Sequence, residues 1–291
     1  MCYRITSVFV EQNCTECDFS GTDSWVILSP IEQSIKRKIE AIGKPLKDWD
    51  INIYRGVLTG CNEAFIISKQ VRDEILSNCQ TPEEYDRTAA LIRPILRGRD
   101  IKRYSYDWAN LWLINSHNGI KGKIPRINID EYPAVKAHLD KYWSKIKNRA
   151  DQGDTPYNLR NCAYLEDFSL PKIVYREIGF EMDACIVPDG WFINNKLYLI
   201  TGKDIEYLIT LLNSRIFNKI YLASANLTGG KGVDFMETLL LPNDLYLAEN
   251  LKDIYSKKNI DSNFEDQIDT ALYAYYKLSE NEIAFLNMND E

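Results

Sequence analysis

Histidine is nearly absent from this chain: 291 residues hold two, His117 and His138. No serine or cysteine is paired with a nearby base signal, so nucleophilic catalysis has no support in the sequence. Other chemical signatures are missing too. Methylation of an amino group on a base would need a glycine-rich cofactor loop and an Asn-Pro-Pro-Tyr-like tetrapeptide, and neither string occurs. The phosphate-loop pattern G-x-x-x-x-G-K-[ST] is approached only by Thr228-Gly229-Gly230-Lys231-Gly232, which lacks the spacing and the hydroxyl after the lysine. Two readings of that stretch stay open: a flexible loop, or backbone amides and Lys231 approaching a phosphate. Pro188-Asp189 followed by Asn194-Asn195-Lys196 imitates a metal-dependent nuclease motif. It places an amide where a hard cation wants a second carboxylate, and its spacing is that of strand, turn, strand. Cys14-x-x-Cys17 is half of a zinc site without a matching second half, so no metal is expected. No apolar run approaches the roughly 20 residues of a membrane-spanning helix. The N-terminal string MCYRITSVFVEQNCTECDF has one early arginine and then acids and cysteines, which does not read as a signal peptide. Seven cysteines, an odd number in a long chain, fit a reducing cytoplasm better than a disulfide scaffold.

What is present reads as α+β, with helices and strands mixed and no regular βαβ repeat. A short strand is expected at Ser24-Trp25-Val26-Ile27-Leu28. An amphipathic helix over 31–42 follows, with Ile31, Ile35, Ile39 and Ile42 on one side and a stop at Gly43 and Pro45. Alternation over 51–57 and the apolar run 64–67 read as a hairpin or as strand, loop, strand, separated by Leu58-Thr59-Gly60-Cys61-Asn62. Helices are expected over 69–76, over 83–92 after the start signal Thr81-Pro82-Glu83-Glu84, and over 134–149. Strands are expected at 112–114, 172–175 and 185–187. A hairpin is expected from 191–193 and 196–200 around a two-asparagine turn. A helix over 204–221 then leads to a polar glycine-rich loop, 224–232. From Leu245 onward the pattern is helical, with Ser279-Glu280-Asn281-Glu282 starting the last helix. The expected organisation is a lead-in over 1–50, a domain over 51–244 with a mixed or antiparallel sheet and flanking helices, and a helical segment over 245–291.

Charge is unevenly spread. The formal net charge is −7, yet residues 91–149 hold thirteen bases against five acids, a net of +8, which leaves the rest of the chain at −15. Tyr104, Tyr106, Trp108, Trp112, Tyr142 and Trp143 interleave with those bases. Clustered Lys and Arg, rather than total charge, form the footprint of a nucleic-acid binder; a solvated helix face with core aromatics would give the same pattern.

Several long stretches resemble one family. They are Gly153-Asp154-Thr155-Pro156-Tyr157-Asn158-Leu159-Arg160-Asn161-Cys162-Ala163-Tyr164, running on through Phe168 and Pro171-Lys172-Ile173-Val174-Tyr175-Arg176-Glu177-Ile178; then 54–67, Ile95-Leu96-Arg97-Gly98-Arg99-Asp100-Ile101, 131–136, 207–214, and the tail from Gln267 to Ile283. This series is similar to the TaqI-like C-terminal specificity domain, the target-recognition module of type II restriction–modification enzymes and adenine-specific DNA methyltransferases. The resemblance covers roughly 25–285. It implies sequence-specific recognition of double-stranded DNA by a chain that is not itself catalytic, in a bacterial defence system. The implied partners are duplex DNA and a methyltransferase domain of the same or another chain. This chain itself would need no cofactor; S-adenosylmethionine, and magnesium if a nuclease is present, would belong to the catalytic domains. Those domains are missing from the sequence, so a portion of a larger enzyme or a separately encoded piece is expected. Base edges are read by Arg, Asn and Gln, and the candidates on loops are Arg55, Thr59, Asn62, Tyr157, Asn158, Arg160 and Asn161. Phosphate candidates are Arg97, Arg99, Lys102, Arg103, Lys121, Lys123, Arg126 and Lys231, with Asn226 beside the last. The rival readings are a protein-interaction module that docks to a methyltransferase and a metal-dependent nuclease.

Overall fold

The computed structural model describes residues 28–178, 181–227 and 231–288, without the side chains of 222–227. Cys14, Cys17 and all but Leu28 of the strand expected at 24–28 lie outside the described residues. Two compact units emerge, Asp50–Ile209 and the flanking segments Met1–Trp49 with Thr210–Glu291. Residues 210–244, assigned from the sequence to the recognition domain, cluster with the flanks.

The architecture of Asp50–Ile209 is α+β, built on two four-stranded sheets. In the first, Ile51–Arg55, Leu197–Gly202, Lys172–Arg176 and Ala184–Val187 lie side by side, all antiparallel, with Leu199 opposite both Tyr54 and Val174. In the second the order is Phe192–Ile193, Ile92–Leu96, Leu111–Ile114 and Ile66–Ser68; only the short first strand runs parallel to its neighbour. Both sheets are apolar on the sides that meet the core, where Phe65, Ile95, Leu113, Val135, Leu139, Phe168, Val174 and Leu199 are fully buried.

The expected hairpin between 191–193 and 196–200 does not form. Both strands exist, but they join different sheets. The chain crosses over at Asn194, whose N–H donates to Leu96 O (3.0 Å) and whose carbonyl accepts from Leu197 N (3.0 Å). Gly56 makes the crossover possible, since a Cβ there would come 2.1 Å from Asn194 O. The alternation at 51–57 and the run at 64–67 likewise separate: Asn62–Phe65 is one helical turn, and the strand after it belongs to the second sheet.

Helix starts follow local chemistry. Thr81 Oγ1 accepts Glu84 N (3.2 Å) ahead of Pro82–Leu91, and Ser68 Oγ accepts Val71 N (3.3 Å) ahead of Lys69–Ser77. The single helix expected over 134–149 is two, Pro133–Asp140 and Trp143–Ile146. At the junction the bonds tighten to three-residue spacing (Lys141 N to His138 O, Tyr142 N to Leu139 O).

In the flanking unit, Ser29 and Glu32 form a capping box for Pro30–Glu40, and Lys44–Pro45 pairs with Leu240–Leu241. The helix expected over 204–221 breaks at Asn213-Ser214. Ser214 Oγ donates to Leu211 O (2.7 Å) and accepts Phe217 N (3.2 Å), ending Ile205–Leu212 and starting Arg215–Leu227. That second helix takes in residues 224–227, which the sequence pattern gave to a loop. Leu245–Ser256, Phe264–Tyr275 and Glu280–Asn287 complete the unit, the last opened by a Ser279–Glu282 capping box. Among the described residues no helix is long and apolar enough to cross a membrane.

Candidate nucleic-acid interface

Two loops of Asp50–Ile209 bring exposed basic and amide side chains next to one another. The first, 115–127, turns back on itself through Ile120 N to Ile124 O (2.8 Å) and Ile124 N to Ile120 O (2.9 Å). Gly119 (φ +73°) and Gly122 (φ +77°) supply the left-handed positions. Lys121 and Lys123 flank the tip, both exposed.

The second loop, 151–164, is stitched to the first. Leu159 N donates to Ser116 O (2.8 Å) and the Asn158 amide donates to Ile127 O (2.9 Å). Asn118 works from the other side: its Oδ1 accepts Asp154 N (2.8 Å) and its Nδ2 donates to Asp154 Oδ1 (3.0 Å) and to Asn161 Oδ1.

Between and beside these loops lie two adjoining clefts. One, of about 720 Å³, is walled by 118–126 with Asp154. The other, of about 430 Å³, is walled by 55–58, Asn115, His117, Leu159, Arg160 and Tyr164. Asn161, Cys162 and Ala163 line both. Tyr164 is a rigid wall, its ring stacked on Tyr54 at 4.2 Å and its hydroxyl donating to Arg55 O (2.8 Å). Burial pushes the Tyr164 hydroxyl up to about 12 and the Cys162 thiol up to about 11, and it lowers the His117 imidazole. Cys162 and Tyr164 therefore stay protonated at neutral pH.

Six sequence candidates come together here: Arg55, Arg160 and Asn161 with Lys121, Lys123 and Arg126. Their ion pairs are open to solvent. Arg160 meets Asp151 at 3.4 Å, Arg126 meets Asp154 at 3.3 Å, and Lys123 meets Glu166, with all three basic side chains at least 42% exposed. Such pairs contribute only about 0–1 kcal/mol, so the cations can exchange partners. Arg55 is held more firmly, its Nε donating to Asn195 O (2.9 Å) and its Nη2 meeting Glu177 at 3.3 Å.

Other candidates fall elsewhere, and three need correction. Asn158 is 1% exposed, with its amide turned to main-chain carbonyls and its Oδ1 accepting Thr155 Oγ1 (2.6 Å); it shapes the loop and has no free edge for a base. Thr59 is 3% exposed and donates to Asn62 Oδ1 (2.6 Å), so of that pair only Asn62 reaches solvent. Lys231 is 1% exposed and engaged within the protein, which removes it from a phosphate-binding surface. Asn226 lies among the residues whose side chains are not described. Arg97 makes a two-pronged pair with buried Asp100 (2.8 and 3.1 Å), which fixes the turn Gly98–Asp100. Arg99 and Lys102 are exposed and make no ion pair among the described residues, while Arg103 lies 5.8 Å from the Tyr104 ring. The Tyr157 hydroxyl donates to Asp140 (2.6 Å), and burial together with that bond raises it to about 12.

Two features are not visible in the sequence pattern. Asn118 ties the loops together, and its only signal was an Asn-Gly turn. Lys172 opens a strand buried in all but its last residue, its own side chain inaccessible, with Nζ donating to Leu170 O (2.7 Å) and Pro188 O (3.0 Å). Burial lowers it to about 8, with Asp189 opposing the shift and Arg93 reinforcing it. Among the described residues, no group of three or more His, Cys, Asp and Glu side chains is gathered as a metal site would need.

Comparison with known proteins bears on this arrangement. Residues 93–237 match the model of the TaqI-like C-terminal specificity domain. The type II methyltransferase M.BstVI of Geobacillus stearothermophilus is 23% identical over 282 residues, covering 92% of this chain and 47% of that protein, so the chain spans about half its length. Among solved structures, the type IIL restriction–modification enzyme MmeI in complex with DNA shares the fold, with a TM-score of 0.52 and 14% identity over 84% of this chain and 36% of that one. The type IIG restriction endonuclease BpuSI aligns over 86% of this chain and 34% of its own, with a TM-score of 0.45 and 13% identity.

Proposed function

Because this chain belongs, through residues 93–237, to the TaqI-like C-terminal specificity domains of restriction–modification enzymes, we propose that it holds double-stranded DNA and reads its sequence for a site-specific adenine methyltransferase. The observation that carries this reading is the pair of adjoining clefts in which exposed cations stand beside side chains able to read base edges. In this reading Lys121, Lys123 and Arg126 neutralise phosphates, and Arg160 and Asn161 meet bases. Guanidinium favours guanine and a side-chain amide favours adenine in the major groove. The chain performs no chemistry of its own; methyl transfer belongs to a catalytic domain of the same or a partner chain, where S-adenosylmethionine would bind and where the target adenine would leave the stack.

Gel shifts of the chain, alone and assembled with its methyltransferase, test the reading at low and high salt. Replacing both Lys121 and Lys123 by Ala should weaken all duplexes alike and reduce the salt dependence by about 0.9 in log K per log salt for each phosphate left without its cation. Arg160→Ala should instead relax discrimination at one base pair, worth about 1–3 kcal/mol. Absence of salt-dependent duplex binding in both forms would favour a module that only docks to the methyltransferase.

A further inference from the structure

Arg149 is a large buried cation that faces neither cleft. The residue is 6% exposed, and no carboxylate forms an ion pair with it among the described residues. The guanidinium instead donates to four main-chain carbonyls: Nη1 to Ile146 (3.4 Å) and Pro156, Nη2 to Asn158, and Nε to Asp151 (3.3 Å). One face lies over the Phe65 ring at 4.5 Å. Gly60, at φ +62°, leaves the space for its stem, since a Cβ there would come 2.9 Å from Arg149 Cδ.

Burying a cation without a carboxylate bonded to it is costly, and burial does lower the Arg149 guanidinium, with Asp151 nearby opposing the shift. The cost is offset here because a planar fork with five donors can satisfy several carbonyls at once. Those carbonyls belong mainly to 151–158, the segment that leads directly into Leu159, Arg160 and Asn161. The far end of the same segment is held against the lysine loop by Leu159 N to Ser116 O and by the Asn158 amide. Arg149 thus anchors one side of the recognition loop, and Asn158 the other.

We propose that Arg149 is a positioning residue for DNA specificity, its guanidinium holding 151–158 so that Arg160 and Asn161 stand at the height of the base edges. This rests on the reading of the clefts as a DNA interface. It separates specificity from affinity, because the phosphate-facing Lys121 and Lys123 sit on the other loop.

Selection from a pool of randomised duplexes tests it, using the chain assembled with its methyltransferase. Wild type should enrich one motif. Arg149→Ala should bind the unselected pool within about twofold of wild type, while enrichment of the motif falls roughly tenfold, the size of one mismatched base pair. Ethylguanidinium, filling the vacated fork, should restore enrichment, and ethylammonium at the same ionic strength should not. A general loss of structure would not respond to one cation and ignore the other. Should Arg149→Ala fail to fold, Arg149→Lys keeps the charge and the aliphatic stem beside Gly60 but cannot bridge four carbonyls, so it should also lose the motif. Wild-type enrichment by either folded variant, or equal rescue by both cations, would overturn the positioning role. A wild-type assembly that enriches no motif would overturn the DNA reading itself, and the role of Arg149 with it.

Discussion

Glu282 and Lys172 show how single buried charges set the pH range of each unit. Glu282 is 4% exposed. Burial alone would raise its carboxyl, but bonds from Lys38 (2.6 Å), Ser279 N (2.6 Å) and Ser34 (2.8 Å) prevail and hold it at about 2. A carboxylate depressed in the folded state stabilises fully above its ordinary value, near 4.5, and loses that contribution as pH falls toward 2. Glu282→Gln should therefore cost on the order of 2–3 kcal/mol at pH 7, and urea titrations should show the gap closing between pH 4.5 and 2. Lys172 acts in the opposite sense. Its folded value of about 8 lies below the ordinary 10.5, so the unfolded chain binds the proton more tightly across that window. Stability relative to Lys172→Met should rise by about 3 kcal/mol as pH climbs from 8 to 10.5. A flat difference between the two proteins over that range would show that Lys172 titrates normally.

At the scale of elements, what could be read in the sequence was what local chemistry decides. Thr81 with Pro82 and Ser279 with Glu282 announce helices, because a cap and its partners lie within three residues of each other. The two sheets were not legible. Phe192 pairs with Ile95 and Leu199 with Tyr54, partners that only the folded core brings together, so two adjacent strands read as a hairpin. The site divided in the same way. Residue types that bind DNA were visible as types, but the burial of Asn158 and Thr59 depends on which turn their own side chains close. The lysine loop offers a test of geometry at this scale. At Gly122 a Cβ would meet nothing within 4 Å, so Gly122→Ala should cost only the left-handed backbone, about 1–2 kcal/mol. At Gly119 the same atom would come 2.3 Å from Ile124 O, so Gly119→Ala must also open the turn. Duplex binding should survive the first substitution and fall with the second; equal losses would mean that the shape of the loop is irrelevant.

For the whole molecule, the net charge of −7 describes a mean of unlike parts. Lys123 and Arg126 stand in the proposed DNA cleft, each beside an acid that competes with phosphate. Glu166 is the simplest place to measure that competition. It is half exposed, and its one ion pair among the described residues is with Lys123, whereas Asp154 also holds Asn118. Glu166→Gln removes a charge that duplex DNA must otherwise displace. Because an exposed pair contributes about 0.2–1 kcal/mol, the variant should bind non-specific duplex roughly twofold to fivefold more tightly at low salt. The gain should fade as the Debye length shrinks from about 10 Å at 0.1 M toward 3 Å at 1 M. Stability in denaturant should change little. Unchanged or weaker binding would mean that Lys123 does not face phosphate, and that the path of the duplex runs instead over Arg99 and Lys102, which are also exposed and make no ion pair among the described residues.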